Sequence, residues 1–168
     1  NALFYYKPVS QVLESNTQYL SDFAWRFERV EKEVNIFSSS EPSRNIYAIA
    51  GTTTFDQSPR AIYDILKNPG SRFCYDRLLK KFQVLEVVDD YTQVIQFRLA
   101  IEKCLMQEQR EILAVCSHRE DSSANRFIIA GTSTQHRLYE EKREAPRINM
   151  MLNAFIIEPL FTDGPPVS

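Results

Sequence analysis

The 168-residue chain is poor in glycine, and Gly51, Gly70, Gly131 and Gly164 stand far apart. A phosphate-cradling loop needs several glycines close together, so mononucleotide and dinucleotide loops of that kind are excluded. Cysteine is scarce as well: Cys74, Cys104 and Cys116 show no C-x-x-C spacing and are too few for a disulfide framework. No Asn-x-Ser/Thr acceptor occurs either, and together these absences favour a reducing, cytoplasmic setting. No apolar run approaches the roughly 18–20 residues of a membrane-spanning helix. Residues 1–8 lack the basic-then-apolar order of a signal peptide, so a soluble chain is expected. An excess of charge is also missing, with 20 Lys+Arg against 22 Asp+Glu and a net charge of −2, which argues against nucleic-acid binding driven by bulk charge. The chain starts at Asn1 rather than Met and ends in a polar, Pro-containing stretch over 162–168. A piece of a longer protein is the expectation.

What is present is an ordinary globular composition, 43% hydrophobic and 25% charged, with one compact domain expected. Over residues 9–34 the positions Val12, Leu13, Leu20, Phe23, Phe27 and Val30 recur at spacings of three, four and seven, which predicts an amphipathic helix. Residues 46–55 are β-branched and aromatic between two turn-rich stretches, 38–42 and 56–59, and predict a strand. Ser58 before Pro59 reads as an N-cap with proline in the first turn. Asn68-Pro69-Gly70 stops that helix. A second helical stretch is expected over 72–79.

Beyond it, runs at 82–88, 111–117, 127–134 and 148–157 are strand-like. Ile95, Phe97, Leu99 and Ile101 alternate with Gln96, Arg98, Ala100 and Glu102, the period of a half-buried strand. Short connections imply antiparallel neighbours. The predicted class is α+β, with helices set apart from an antiparallel sheet.

Several separated segments, in order, resemble the START (StAR-related lipid transfer) family over residues 20–164. Trp25 and the segment 30–37 look like the family's first helix running into its first strand. Residues 58–66, SPRAIYDIL, resemble "SPEEVYDLL", and Tyr75-Asp76 stands where the family has Trp-Asp, followed by 84–89. Residues 109–115, QREILAV, resemble "PRDFVVV". Residues 147–160, ending Ile157-Glu158-Pro159-Leu160, resemble "VRAEILLSGYVIEPL".

The resemblance implies a helix-grip fold, a curved antiparallel sheet around a C-terminal helix with a lipid-sized cavity between them. The family's last strand and gripped helix are absent from this sequence. The domain reading is a helical extension over 1–19, a START-like domain over 20–164 incomplete at its C-terminus, and a tail over 165–168. The function implied is non-catalytic lipid binding, transfer or sensing as a module of a larger protein. The ligand would be a phospholipid, sterol or other hydrophobic molecule, with transient membrane contact, protein partners reached through the parent protein, and a location in the cytoplasm or peripherally at membranes. The alternative is a START-fold interaction or regulatory module without transfer.

No cofactor, metal, nucleic acid or catalytic residue is expected. His118, His136, Cys104 and Cys116 fit no zinc spacing.

A lipid carrier needs a dry apolar lining and one or two polar groups for the head. The expected lining is Ile95, Phe97, Leu99, Ile101, Ile112, Ala114, Cys116, Met150, Leu152, Ala154 and Ile156. The resemblance places the family's sterol-associated acid and arginine near Phe97 and Cys116, both apolar here, so Arg98, Glu102 and Arg147 become the candidate head-group contacts. The segment 135–146 aligns with the family's loop over the cavity mouth. As a lid it would carry Leu138 and Tyr139 as apolar tips, with Arg137, Lys142 and Arg143 toward anionic head groups.

Overall fold

The computed structural model describes residues 24–41, 46–103, 106–122 and 125–160. The expected helical extension, the part of the predicted N-terminal helix before residue 24, Cys104 and the C-terminal tail lie outside the described residues. The chain divides into two compact units, residues 1–56 and 57–168.

The first unit is a three-stranded antiparallel meander, β1 (Arg26–Glu31), β2 (Val34–Glu41) and β3 (Ile46–Thr52). The helix predicted to continue through Val34 is therefore corrected: from Arg26 on, the chain is a hairpin. Phe27 stands opposite Phe37 across the pair, with ring centroids 5.7 Å apart, a contact of the kind that stabilises strand pairs. The two-residue connection Lys32-Glu33 has φ of 49° and 65°, both positive, the geometry that matches the twist of a tight hairpin. The turn read at 38–42 is corrected likewise, since Ser38 to Glu41 pair with β3.

The second unit is a five-stranded antiparallel sheet in sequential order. Its strands are β4 (Leu79–Asp89), β5 (Thr92–Lys103), β6 (Met106–Asp121), β7 (Arg126–Ser133) and β8 (Asn153–Ile157). Two helices precede it, α1 (Pro59–Leu66) and the single turn α2 (Arg72–Tyr75), joined through a 3-10 turn, Pro69–Ser71. The α1 boundaries follow from sequence: Ser58 accepts a hydrogen bond from the Ala61 amide at 3.2 Å, satisfying an otherwise orphan donor. Pro69 ends the run. Helix α1 lays Ile62, Tyr63 and Leu66 on Phe127, Ile129 and Ile157 of β7 and β8.

Strands β5 and β6 pair without interruption from Thr92↔Ser117 to Lys103↔Met106. Side chains along both strands therefore alternate strictly between the two faces. Strand β4 instead bulges at three places, which bends the strand and makes the sheet edge a poor template for pairing.

Candidate functional site

The unbroken β5–β6 register sorts the sequence into two faces. On the first, Ile95, Phe97 and Leu99 join Ile112, Ala114 and Leu79 in one buried cluster, with Ile101, Cys116, Met150, Phe82 and Ile148 packed against it. Eight of the expected lining residues thus meet. Four of them, Ile95, Phe97, Cys116 and Met150, form the floor of a groove whose other wall is the helical segment, through Leu66, Lys67, Pro69, Arg72 and Tyr75. The groove encloses about 70 Å³ and opens to solvent, room for a few water molecules.

The expected lining on β8 is displaced by one residue. Met150 lies beside Ser133, but Asn153 lies beside Gly131, so three residues on this side span what two span on β7. That extra residue exchanges the faces. Asn153 and Phe155 line the groove, Leu152 is half-buried at the irregular step, and Ala154 and the exposed Ile156 lie on the opposite face.

The sequence reading also missed the small floor at Gly131. A Cβ there would come within 2.9 Å of the Cys116 sulfur, so the thiol already occupies that space. Burial pushes the Cys116 thiol up to about 11. It is protonated at neutral pH and serves as a small apolar wall.

The candidate head-group contacts do not reach this groove. Arg98 and Glu102 follow Phe97 and Ile101 on a strand with no bulge against β6, so both point to the second face. There Glu111, fully buried, accepts from Arg147 Nε at 2.9 Å and from the Gln96 amide, with Arg98 Nε 4.0 Å away. Arg147 also donates to the Tyr139 carbonyl at 2.6 Å. Backbone bonds from Glu111 to Pro146 and from Ile148 to Glu111 dock this stretch beside β6.

The lid assignment for 135–146 is corrected by the same contacts. His136 meets Glu86 at 3.2 Å and the Tyr139 hydroxyl meets Gln83 at 3.4 Å. Gln83, Glu86 and Glu111 all belong to the second face. The segment packs on the back of the sheet, away from the groove, with Arg137, Leu138, Lys142 and Arg143 exposed and Tyr139 half-buried. His118 stands on the groove face and His136 on the back. Among the described residues no group of three or more His, Cys, Asp or Glu could hold a metal ion, and no helix is long and apolar enough to cross a membrane.

At the far end of the groove face, Tyr63 of α1 stacks on Phe127 with centroids 4.7 Å apart and hydrogen-bonds His118 Nδ1 at 2.6 Å. The neutral imidazole accepts at Nδ1 and the phenol donates. Partial burial and the Lys67 ammonium lower the His118 pKa, against a smaller opposing pull from Asp89. The folded state therefore prefers neutral His118. Its contribution to stability is complete above the unfolded value of about 6.5 and is lost as pH falls through the lower folded value. Between pH 7 and pH 5 the protein should lose more stability than a His118→Gln variant, compared by urea unfolding; equal losses would show that this pair does not sense pH.

The fold these faces define is that of START domains. No family model and no curated protein matches the sequence, but solved structures match closely in shape. Human StAR-related lipid transfer protein 5 matches with a TM-score of 0.78 at 18% identity, over 90% of this chain and 73% of that one. Human STARD10 matches with a TM-score of 0.77 at 17% identity, over 98% and 66%. The human StarD13 (DLC2) lipid transfer and protein localization domain gives 0.70 at 15% identity, over 94% and 78%.

Proposed function

We propose that the region 20–164 is a non-catalytic lipid-binding module of a longer intracellular protein, carrying or sensing a hydrophobic ligand in the groove between the helical segment and the β5–β6 face. The observation that carries this reading is the apolar groove floor of Ile95, Phe97, Cys116 and Met150, backed by the buried Ile112 and Ala114 and facing the helical wall. An acyl chain or ring system placed there exchanges water for apolar surface at roughly 25 cal/mol per Å². The likeness in fold to lipid transfer domains supports the same reading.

The enclosed volume is far below the roughly 300–1,000 Å³ of ordinary ligand sites. Loading therefore requires the wall from Leu66 to Tyr75 to move outward. With Phe97 and Cys116 in place of a polar pair, the ligand is held by its apolar body, and a ligand whose only anchor is a buried hydroxyl is disfavoured. Mass spectrometry of organic extracts from the purified protein, against a matched blank, should find one lipid class enriched to near one per chain. A clean extract, with no uptake from mixed liposomes, would leave a START-fold interaction module as the reading.

A further inference from the structure

The stretch from Gln57 to Gln83 differs in charge from the rest of the chain. It holds Arg60, Lys67, Arg72, Arg77, Lys80 and Lys81 against Asp64 and Asp76, a net charge of +4 in a chain of net charge −2. The acids are already used, since Asp64 pairs with Lys67 at 2.7 Å and Asp76 with Arg72 at 2.8 Å. Arg60 is likewise engaged with Glu120 at 2.5 Å. That leaves the exposed Arg77 and Lys80, where α2 runs into β4, as the cations of this stretch without a carboxylate partner on this side, since Lys81 stands opposite Arg98 and so on the second face.

The same few residues expose large apolar groups. Phe73, Tyr75 and Leu78 are 49%, 45% and 46% exposed, and Phe73 packs one side of its ring on Phe82 with centroids 5.6 Å apart. Apolar tips interleaved with basic side chains suit a surface with anionic groups above hydrocarbon. Aromatic and leucine side chains enter the interface while lysine and arginine stay with the head groups.

We propose that the α2–β4 junction, centred on Phe73, Tyr75, Arg77, Leu78 and Lys80, is a docking surface for an anionic lipid bilayer. Tyr75 and Arg72 also line the groove, so docking places the movable wall of the groove at the membrane. The 135–146 segment, on the back of the sheet, takes no part. The docking gives the lipid-carrier reading its site of exchange and rests on that reading for its purpose, but the binding itself is measurable alone.

The test is flotation with vesicles of phosphatidylcholine, with and without 30% phosphatidylserine (a composition chosen at roughly physiological anionic content). The protein should bind the anionic vesicles, more weakly as salt rises. Removing two surface charges in Arg77→Gln/Lys80→Gln should weaken binding on the order of 30-fold, at about 1 kcal/mol per residue. Phe73→Ser/Leu78→Ser should weaken it with the charges intact, and Arg137→Gln/Lys142→Gln/Arg143→Gln should leave it unchanged. Equal binding to neutral and anionic vesicles, or full binding by the Arg77/Lys80 variant, overturns the proposal. Lipid delivered from cyclodextrin separates the two readings. If the unaltered protein takes up no lipid this way yet binds anionic vesicles, the carrier reading fails and the docking surface stands.

Discussion

Replacing Glu111 with alanine should cost about 3–5 kcal/mol of folding stability, the size of effect seen when one partner of a buried ion pair is removed. The carboxylate is fully buried and is shared by Arg147, Gln96 and, at longer range, Arg98. Its loss leaves the Arg147 guanidinium, whose side chain is only 19% exposed, facing an empty acceptor site, and strips the Gln96 amide of its partner. Both are uncompensated polar groups in a poorly hydrated place. Urea unfolding of Glu111→Ala, Arg147→Ala and the double variant gives the coupling directly. The double variant should cost clearly less than the sum of the singles. A loss below about 1 kcal/mol in Glu111→Ala would mean that the back-face contacts do not hold the 135–146 segment.

The second large effect concerns the groove. Met150 is half-buried, packs on the apolar cluster and lines the cavity beside Phe155. A tryptophan at this position occupies the space a ligand would enter while remaining apolar. Lipid uptake by Met150→Trp should fall more than tenfold, with folding stability changed by no more than about 1–3 kcal/mol, the usual range for an overfilled site. Uptake equal to that of the unaltered protein would put the ligand elsewhere. Met150 is chosen over Phe97 because Phe97 lies under the Arg72 guanidinium, 4.7 Å from ring centroid to the guanidinium carbon. Changing it would disturb the helical wall as well as the floor.

The parts of this architecture legible in the sequence are those governed by neighbours along the chain. Alternation through Ile95, Phe97, Leu99 and Ile101 gave the groove face of β5 because its pairing with β6 is unbroken. Ser58 and Pro59 marked the start of α1 because a cap and a fixed φ are local properties. The β1–β2 hairpin was hidden for the opposite reason. Its turn is Lys32-Glu33, with neither glycine nor asparagine to mark the positive φ, and Phe27 and Val30 on β1 fall at helical spacing.

The back-face contacts were out of reach altogether. His136 finds Glu86 50 residues away, Tyr139 finds Gln83 56 away, and Arg147 finds Glu111 36 away. No periodicity encodes those meetings. On β8 the alternation was visible but its phase was not, because the one extra residue between Met150 and Asn153 is defined only by the pairing with β7.

Strand β6 writes two messages in one line of text. Odd and even letters are read from opposite sides: Ile112, Ala114 and Cys116 by the groove, Glu111 by the arginines behind it. A frameshift of a single residue would swap the messages, delivering a carboxylate into the apolar floor and an isoleucine to a waiting guanidinium. Each side would reject the wrong letter, so the strand proofreads its own alignment as the sheet assembles.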